Sequence, residues 1–263
     1  MRRGEPGSLR AVALPTEHGG WGFTLEPILL GLAVAPSWAG AGLAAVALAA
    51  FLARRPWRLL AEDLRRGRRM PRTRIASVVL AACLGICAGG LAAATLLASG
   101  PFWWAALAAL PAAATQLGLD LARRSRSFLA EAAGALAMGC AAPAIALAGG
   151  WDAAPAFGLL AVIAGRAVPS ILLVRAQIRR TRGGPARPAA THAAHGSALA
   201  ALAALAATGT VAWPAAGAVT ALWVWAGLSL ARPPMPARTL GWTQMAAGLL
   251  VVAATAAGHH LWG

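Results

Sequence analysis

The sequence predicts an all-α bundle of about nine transmembrane helices, and three observations lead to that prediction. All 23 basic residues are arginines, and 22 of them form five clusters separated by long uncharged stretches. Most of these stretches can hold two crossings, since about 20 apolar residues span a membrane. A short turn containing Gly, Pro or Trp divides each of these stretches. The mean hydropathy of +0.65 agrees with a membrane protein.

The clusters and turns set the boundaries of the predicted elements. Residues 1–17 form a tail, and residues 18–263 form a single membrane domain whose largest loop, residues 54–74, carries nine arginines. The first eight predicted helices form four pairs, and the turns within these pairs lie at residues 35–38, 99–104, 149–155 and 211–214. The predicted helices cover residues 18–35, 38–53, 75–98, 102–120, 128–149, 156–175, 196–212, 215–231 and 240–261.

The distribution of charge also predicts orientation. Cytoplasmic loops of membrane proteins carry an excess of arginine and lysine, and tryptophan is enriched at the membrane interfaces. The arginine clusters are therefore expected on the cytoplasmic side of the cell membrane, and the uncharged, tryptophan-bearing turns on its outer side. Nine crossings place the N-terminus in the cytoplasm and the C-terminus outside.

The net charge of +15 indicates lipid partners rather than nucleic acid, because the arginines border membrane segments and suit anionic headgroups. Residues 56–67, within the largest loop, fit either an amphipathic helix lying on those headgroups or a mobile lid. We expect membrane lipids as partners and no nucleic acid. The sequence leaves the oligomeric state open.

Arg166 is the one arginine outside the clusters. It precedes Arg175, at the predicted cytoplasmic end of the sixth helix, by nine residues. This places Arg166 about 13 Å from that end, near mid-membrane. A cation at that depth normally pairs with a carboxylate or lines a polar cavity. Glu26 and Glu131 are the candidate partners, and the pair is either functional or a structural link between helices.

Glu26 belongs to the most unusual passage of the chain, residues 15–27. On a helix, His18, Gly22 and Glu26 form a row at i, i+4 and i+8, where glycine lets a neighbouring backbone or a substrate approach closely. Pro27 should kink the helix beside Glu26. This row is either tight packing around one carboxylate or a surface that faces a ligand.

Several polar residues at the predicted cytoplasmic ends are candidates for binding an anionic group, because arginine forms charge-assisted, often bidentate hydrogen bonds with phosphate. For any single cluster, simple anchoring at the membrane surface is the alternative. His192 and His195, at i and i+3, would add a base or a metal ligand, although two histidines do not make a zinc site. The predicted ligand-binding residues are Gly22, Arg55, Asp120, Arg123, Arg124, Arg175, His192 and His195.

Four passages together resemble the YwiC-like family of bacterial membrane proteins. They are residues 15–27, Arg54-Arg55-Pro56, residues 123–131 and residues 166–175. The resemblance extends through nearly the whole chain, but it implies no established activity.

A more distant resemblance is to the UbiA-type intramembrane prenyltransferases, through the nine helices, the proline–glycine–proline passage and the loop Arg123-Arg124-Ser125-Arg126. It implies a prenyl diphosphate held by Mg²⁺ on two aspartate-rich motifs. This chain offers only Glu62 and Asp63 after the second helix and no carboxylate at 175–195. We therefore predict no metal site and no cofactor, with Mg²⁺ suggested by the resemblance alone.

Three functions stay open at this stage. The first is binding of an isoprenoid or another anionic lipid, followed by metal-free group transfer in which Glu26, Glu131, Arg166 and His18 act as catalytic residues. The second is a membrane carrier, for which charge pairs at mid-membrane are also typical. The third is non-catalytic lipid binding.

Overall fold

Helices account for all regular secondary structure in the described part of the protein. The computed structural model describes residues 18–67, 70–185 and 187–262, together with Leu9 and Val12. At His18, Gly19 and Trp262 it describes only the backbone. Most of the predicted tail, residues 1–17, thus lies outside the described residues. The helices are α1 (His18–Val34), α2 (Trp38–Arg65), α3 (Pro71–Leu97), α4 (Trp103–Leu121), α5 (Phe128–Gly139), α6 (Ala141–Ala148), α7 (Ala153–Thr181), α8 (Pro188–Ala207), α9 (Trp213–Ala231) and α10 (Ala237–Trp262).

The prediction of an all-α bundle of about nine helices is confirmed. Each predicted helix has a counterpart, because α5 and α6 are two halves of the predicted fifth helix, separated at Cys140. Ser127 caps α5 by accepting a hydrogen bond from the Ala130 N–H at 3.2 Å. Ser37 caps α2 in the same way through the N–H of Gly40.

The largest difference concerns the arginine-rich segment after the second helix. The predicted loop at 54–74 is mostly helical, because α2 continues without interruption to Arg65 and includes Pro56. The segment contains many Arg, Leu, Ala and Glu residues, which favour helix, so α2 does not end where its apolar residues end. Within the described residues, most of this segment is therefore the last part of α2 and the start of α3, rather than a separate helix or a long loop.

A second difference is the position of α8, which begins at Pro188 rather than at residue 196 and ends at Ala207 rather than at residue 212. Proline favours the first turn of a helix, where its missing N–H has no intrahelical partner in any case. His192 and His195 therefore lie inside the helix.

The core is built around α6, where six of the eight residues are buried. Ile145 and Leu147 pack with Leu30 of α1 and Leu159 of α7 in one apolar cluster. A second cluster joins α7, α8, α9 and α10 and includes Val162, which is fully buried. The short helix α6 thus lies at the centre of the half of the bundle that includes α1 and α2.

Side-chain contacts bring the arginine-rich segments together at one end of the bundle, here called the basic end. Arg175 donates to the carbonyl of Arg126, and Arg180 donates to the carbonyl of Arg232. Contacts at the opposite end join other turns, since the Ser99 N–H donates to the Ala148 carbonyl. Separation of charge between the two ends is the pattern expected of a membrane protein.

Six helical segments in the described part of the chain are long and apolar enough to cross a membrane. They are Trp38–Arg65, Pro71–Leu97, Phe128–Ala148, Ala153–Thr181, Trp213–Ala231 and Ala237–Leu261; a shorter apolar helix covers Gly20–Val34. The protein is thus a multi-pass membrane protein. Its orientation remains a prediction.

The helices α2 and α3 come close together at a pair of glycines. A Cβ atom added to Gly90 would lie 2.6 Å from the carbonyl oxygen of Gly42, and one added to Gly42 would lie 2.9 Å from that of Gly90. Small residues at such positions allow membrane helices to pack backbone to backbone. A Cβ atom added to Gly89, one position away, would have no neighbour within 4 Å.

We expect Gly90→Ala to lower the free energy of unfolding by about 1–3 kcal/mol, because the added methyl group must push the two backbones apart. Gly89→Ala should raise it by up to about 1 kcal/mol, because alanine favours helix more than glycine does and its Cβ atom meets no neighbour. SDS-induced unfolding followed by tryptophan fluorescence measures both. Equal effects of the two substitutions would contradict the close contact.

Candidate functional site

The buried centre of the bundle contains an ion pair between Arg166 of α7 and Glu26 of α1. The Nη2 atom of Arg166 lies 2.8 Å from Oε1 of Glu26, and each residue is 3% exposed. Glu26 is thus the partner of Arg166. The other candidate, Glu131, lies 3.1 Å from Nη1 of Arg175 at the basic end.

A third helix completes this ion pair. Arg166 Nη2 donates a hydrogen bond to the backbone carbonyl of Gln244 in α10, and the guanidinium lies 5.5 Å from the centre of the Phe23 ring. Gly248, one turn after Gln244, leaves room for the Glu26 carboxylate, which a Cβ atom there would overlap. The pair therefore joins α1, α7 and α10.

The polar contacts of this centre are incomplete among the described residues. Glu26 Oε1, Arg166 Nε and Gln244 Oε1 are buried and have no hydrogen-bond partner there. The 2.8 Å contact of Oε1 with Arg166 is thus ionic and lies off the N–H direction. Pro27 and Pro169 also leave the carbonyls of Phe23 and Gly165 without their usual helical donors.

A separate cavity of about 970 Å³ lies between α2 and α4, with α5 and α6 behind it. Its inner part is apolar, with Leu43, Leu91 and Phe102 and many alanines. Towards the basic end the lining becomes polar. The charged residues in the lining are Arg54, Arg58, Glu62, Arg65, Arg66, Asp120 and Arg123.

Arg54 crosses the cavity from α2 to α4. Its Nη2 atom donates to Oδ2 of Asp120 at 3.0 Å. When the amide oxygen of Gln116 faces Arg54, it accepts from Nη2 at 2.9 Å and from Nη1 at 3.0 Å. The side chain of Asp120 is 7% exposed and that of Arg54 is 36% exposed, so the arginine remains accessible from the cavity.

Arg123 reaches the cavity from an unusual backbone conformation. Its φ of 59° lies in the left-handed region, which favours glycine. The N–H of Arg124 bonds to the Leu119 carbonyl and that of Arg123 to the Asp120 carbonyl, which is the Schellman pattern that ends many helices. An arginine therefore occupies the position at the end of α4 where glycine is usual.

Only two of the predicted ligand-binding residues, Asp120 and Arg123, line this cavity; Arg55 and Arg124 do not. Gly22 lies beside Glu26 in α1, and the His18 side chain lies outside the described residues. Arg175 contacts Glu131, as described above.

The two histidines of α8 also lie outside the cavity lining. His192 accepts a hydrogen bond from Trp223 Nε1 at 3.0 Å. His195 is buried, with Nδ1 2.9 Å from the Thr191 carbonyl oxygen. Among the described residues, no group of three His, Cys, Asp or Glu side chains is placed to hold a metal ion.

From this segment the sequence suggested Arg54, Arg55 and Arg58 among the cations around a possible apolar cavity, but only Arg55, which does not line it, was chosen as a binding residue. Arg54, Arg58 and Arg65 are spaced at i, i+4 and i+11, so they share one face of α2. Arg55 points about 100° away from Arg54 on a helix of 3.6 residues per turn. This spacing could have identified the row, had the segment been recognised as a helix.

Comparison with known proteins gives one match. A family model described as YwiC-like protein matches residues 14–146, just over half of the chain. No curated protein and no solved structure matches. The matched residues include Glu26 and the whole cavity lining, whereas Arg166 lies beyond them.

The buried ion pair predicts strong coupling between its two members. Arg166→Met should lower the free energy of unfolding by about 3–5 kcal/mol, because it leaves the Glu26 carboxylate buried without a counter-charge. The double variant Glu26→Gln/Arg166→Met should be more stable than Arg166→Met alone. SDS unfolding of the four proteins of the cycle measures the coupling, and additive effects would contradict it. Glu62→Gln, which removes an exposed pair with Arg66, should cost less than about 1 kcal/mol.

The backbone of Arg123 generates a second prediction. Arg123→Gly should raise the free energy of unfolding by up to about 1 kcal/mol, because glycine adopts a positive φ without the steric cost paid by arginine. Arg124→Gly is the matched control, and it should be destabilising because its backbone has no such strain. Thermal unfolding in detergent distinguishes the two, and a lower stability of Arg123→Gly would contradict the assignment.

Proposed function

The chain belongs to the YwiC-like protein family, and from that premise we propose that it binds an amphiphile with an anionic head, such as an isoprenoid phosphate, in the cavity between α2 and α4. The observation that carries the proposal is the composition of this cavity. It is apolar along its inner part and rich in arginine at the basic end.

The basic end of the cavity suits a phosphate head. Five arginines line it against two carboxylates, Glu62 and Asp120, so the lining has a formal charge of +3. Guanidinium groups bind phosphate oxygens through paired, charge-assisted hydrogen bonds, and a partly apolar surrounding strengthens them. The head would therefore lie between Arg54, Arg58 and Arg123.

The inner part suits a hydrocarbon tail. From Leu43 to Arg54 the cavity follows α2 for eleven residues, which corresponds to about 16 Å. Alanines from α2, α4 and α6 form much of this surface and leave space that larger side chains would fill. A volume of about 970 Å³ is at the upper end of the range for small-molecule sites, which favours a ligand with one tail.

As the reaction we propose metal-free transfer of the hydrocarbon group, in which the bond between its first carbon and the phosphate oxygen breaks, a nucleophilic second substrate bonds to that carbon, and the phosphate leaves. The likeness to prenyltransferases would imply Mg²⁺, but the carboxylates of the lining do not fit that ion. Glu62 Oε1 lies 2.7 Å from Arg66, and Asp120 Oδ2 lies 3.0 Å from Arg54, so each already has a cationic partner. Arginines would instead neutralise the charge on a departing phosphate.

Glu26 and Arg166, predicted to be catalytic, do not line the cavity, so we assign them no contact with this ligand. They favour a second candidate function, a membrane carrier, because buried charge pairs with unpaired polar atoms occur on transport pathways. A carrier requires access to the pair from both sides of the membrane, whereas a lipid-binding site requires access from the basic end or from the bilayer.

The positive-inside rule supports placing the basic end on the cytoplasmic side. The ligand head would then be reached from the cytoplasm. Labelling of single cysteines at each end with a membrane-impermeant maleimide in intact cells tests this orientation.

Binding of farnesyl phosphate to the full chain in nanodiscs of neutral phospholipid tests the proposal. Arg58→Ala should weaken binding by at least about tenfold, because one charge-assisted hydrogen bond contributes about 1.5–3 kcal/mol. Arg124→Ala is the matched control at the same end of the bundle, outside the cavity lining, and should change the affinity less than about twofold. Isothermal titration measures both, and equal losses would contradict the cavity as the site.

Mass spectrometry of lipids that co-purify with the protein provides an independent test. An anionic, single-tailed lipid retained by the native protein and lost from Arg58→Ala supports the proposal. Retention of the same lipid mixture by both proteins contradicts it.

A further inference from the structure

The cleft between α2 and α4 is bridged by side chains rather than by helix packing. The helix α2 packs against α1, α3 and α6, and α4 packs against α5 and α6, but in the described structure the backbones of α2 and α4 make little contact with each other. The contacts of Arg54 with Asp120 and Gln116 cross this gap. We refer to Arg54, Asp120 and Gln116 as the clasp.

The α4 side of the clasp is held in place by the fold. The side chain of Gln116 lies against Gly134 of α5, and a Cβ atom at Gly134 would overlap it. Asp120 lies one helical turn after Gln116, so both present their polar groups on the same face of α4. Arg54, on α2, is the partner with the greater exposure.

The hydrogen bonding within the clasp is also incomplete. Oδ1 of Asp120 is buried and has no hydrogen-bond partner among the described residues, although Oδ2 bonds to Arg54. Arg54 thus meets one oxygen of the carboxylate instead of forming the two parallel bonds that arginine makes with carboxylate or phosphate. A phosphate in the cavity would offer Arg54 a better acceptor geometry than Asp120 does.

We propose that an anionic ligand head takes the place of Asp120 on Arg54, so that binding opens the clasp and admits the tail between α2 and α4. This inference rests on the proposed function and adds to it a basis for selectivity. A neutral head cannot replace a carboxylate as the partner of a guanidinium, so an alcohol with the same tail leaves the clasp closed. The exchange selects single-tailed phosphates over the corresponding alcohols.

Substitution of the competing carboxylate tests the exchange. Asp120→Asn should bind farnesyl phosphate at least about fivefold more tightly than the native protein, because Arg54 no longer has to leave a charged partner. Its affinity for farnesol should rise less, because a hydroxyl group cannot pair with the guanidinium that is set free. Glu62→Gln also removes one carboxylate from the cavity lining, but its pair with Arg66 is solvent-exposed and therefore weak, so the gain should be below about twofold.

Arg54→Ala provides the opposite test. It should weaken binding of farnesyl phosphate by more than about tenfold, and it should not weaken binding of farnesol, because the substitution also removes the contact that closes the cleft. If the link between Arg54 and Asp120 is only structural, Asp120→Asn and Arg54→Ala lower the stability together and neither changes the preference for phosphate over alcohol. That result overturns the inference.

Distances between spin labels report the opening itself. Leu64 of α2 and Gly118 of α4 are exposed, and no neighbour lies within 4 Å of a Cβ atom at Gly118, so both accept a label. Cys83, Cys87 and Cys140 are first replaced by alanine, and binding by that background protein is confirmed. Farnesyl phosphate should lengthen the distance between the labels, whereas farnesol should not.

The outcomes separate the two proposals. Binding of farnesyl phosphate that depends on Arg58, together with an unchanged affinity of Asp120→Asn and an unchanged distance, overturns the clasp and leaves the proposed function standing. Failure of the native protein to bind farnesyl phosphate overturns both.

Discussion

The ion pair between Arg166 and Glu26 is the constraint around which the bundle is arranged. A lone cation in the apolar centre of a membrane protein is costly, so α7 requires a carboxylate from another helix at that depth. Glu26 provides it from α1, and the Gln244 carbonyl adds a contact from α10. Gly248 allows α10 to come close to the carboxylate. Three helices distant in sequence are thereby held in one arrangement, and α6 packs against two of them, α1 and α7.

This arrangement separates the most constrained part of the protein from the part that suits a ligand. The ion pair lies among α1, α7 and α10, whereas the cavity lies among α2, α4, α5 and α6. The arginines in the two places differ in exposure, because Arg166 is buried together with its partner, whereas Arg54 remains accessible from the cavity. A charge that stays accessible can exchange its partner at low cost, whereas a fully buried one cannot. The left-handed backbone of Arg123 also lies at the cavity, where strain is often associated with function.

Much of the fold could be predicted because it follows from local patterns. Arginine clusters gave the helix pairs, and the isolated position of Arg166 predicted a buried pair with Glu26 or Glu131. The choice between these carboxylates could not be made, since it depends on which helices are neighbours. A cavity crowned by arginines was expected, but its position was not predictable for the same reason, because it depends on α4 standing away from α2. The extension of α2 to Arg65 was missed because the charge of the segment was taken as the end of a helix, and that error hid the row formed by Arg54, Arg58 and Arg65.

The glycine contact between Gly42 and Gly90 has a consequence for the movement of the cleft. In the described structure α3 packs substantially against α2 alone, and the two backbones touch at these glycines. The pair α2–α3 is therefore a hairpin with extensive packing of its own, which contacts α1 and α6 through α2. Many exposed side chains of this hairpin are apolar, so the opening proposed above would displace acyl chains rather than water. Access of the proposed ligand would then depend on the lateral packing and thickness of the surrounding lipid, and so on the composition of the membrane.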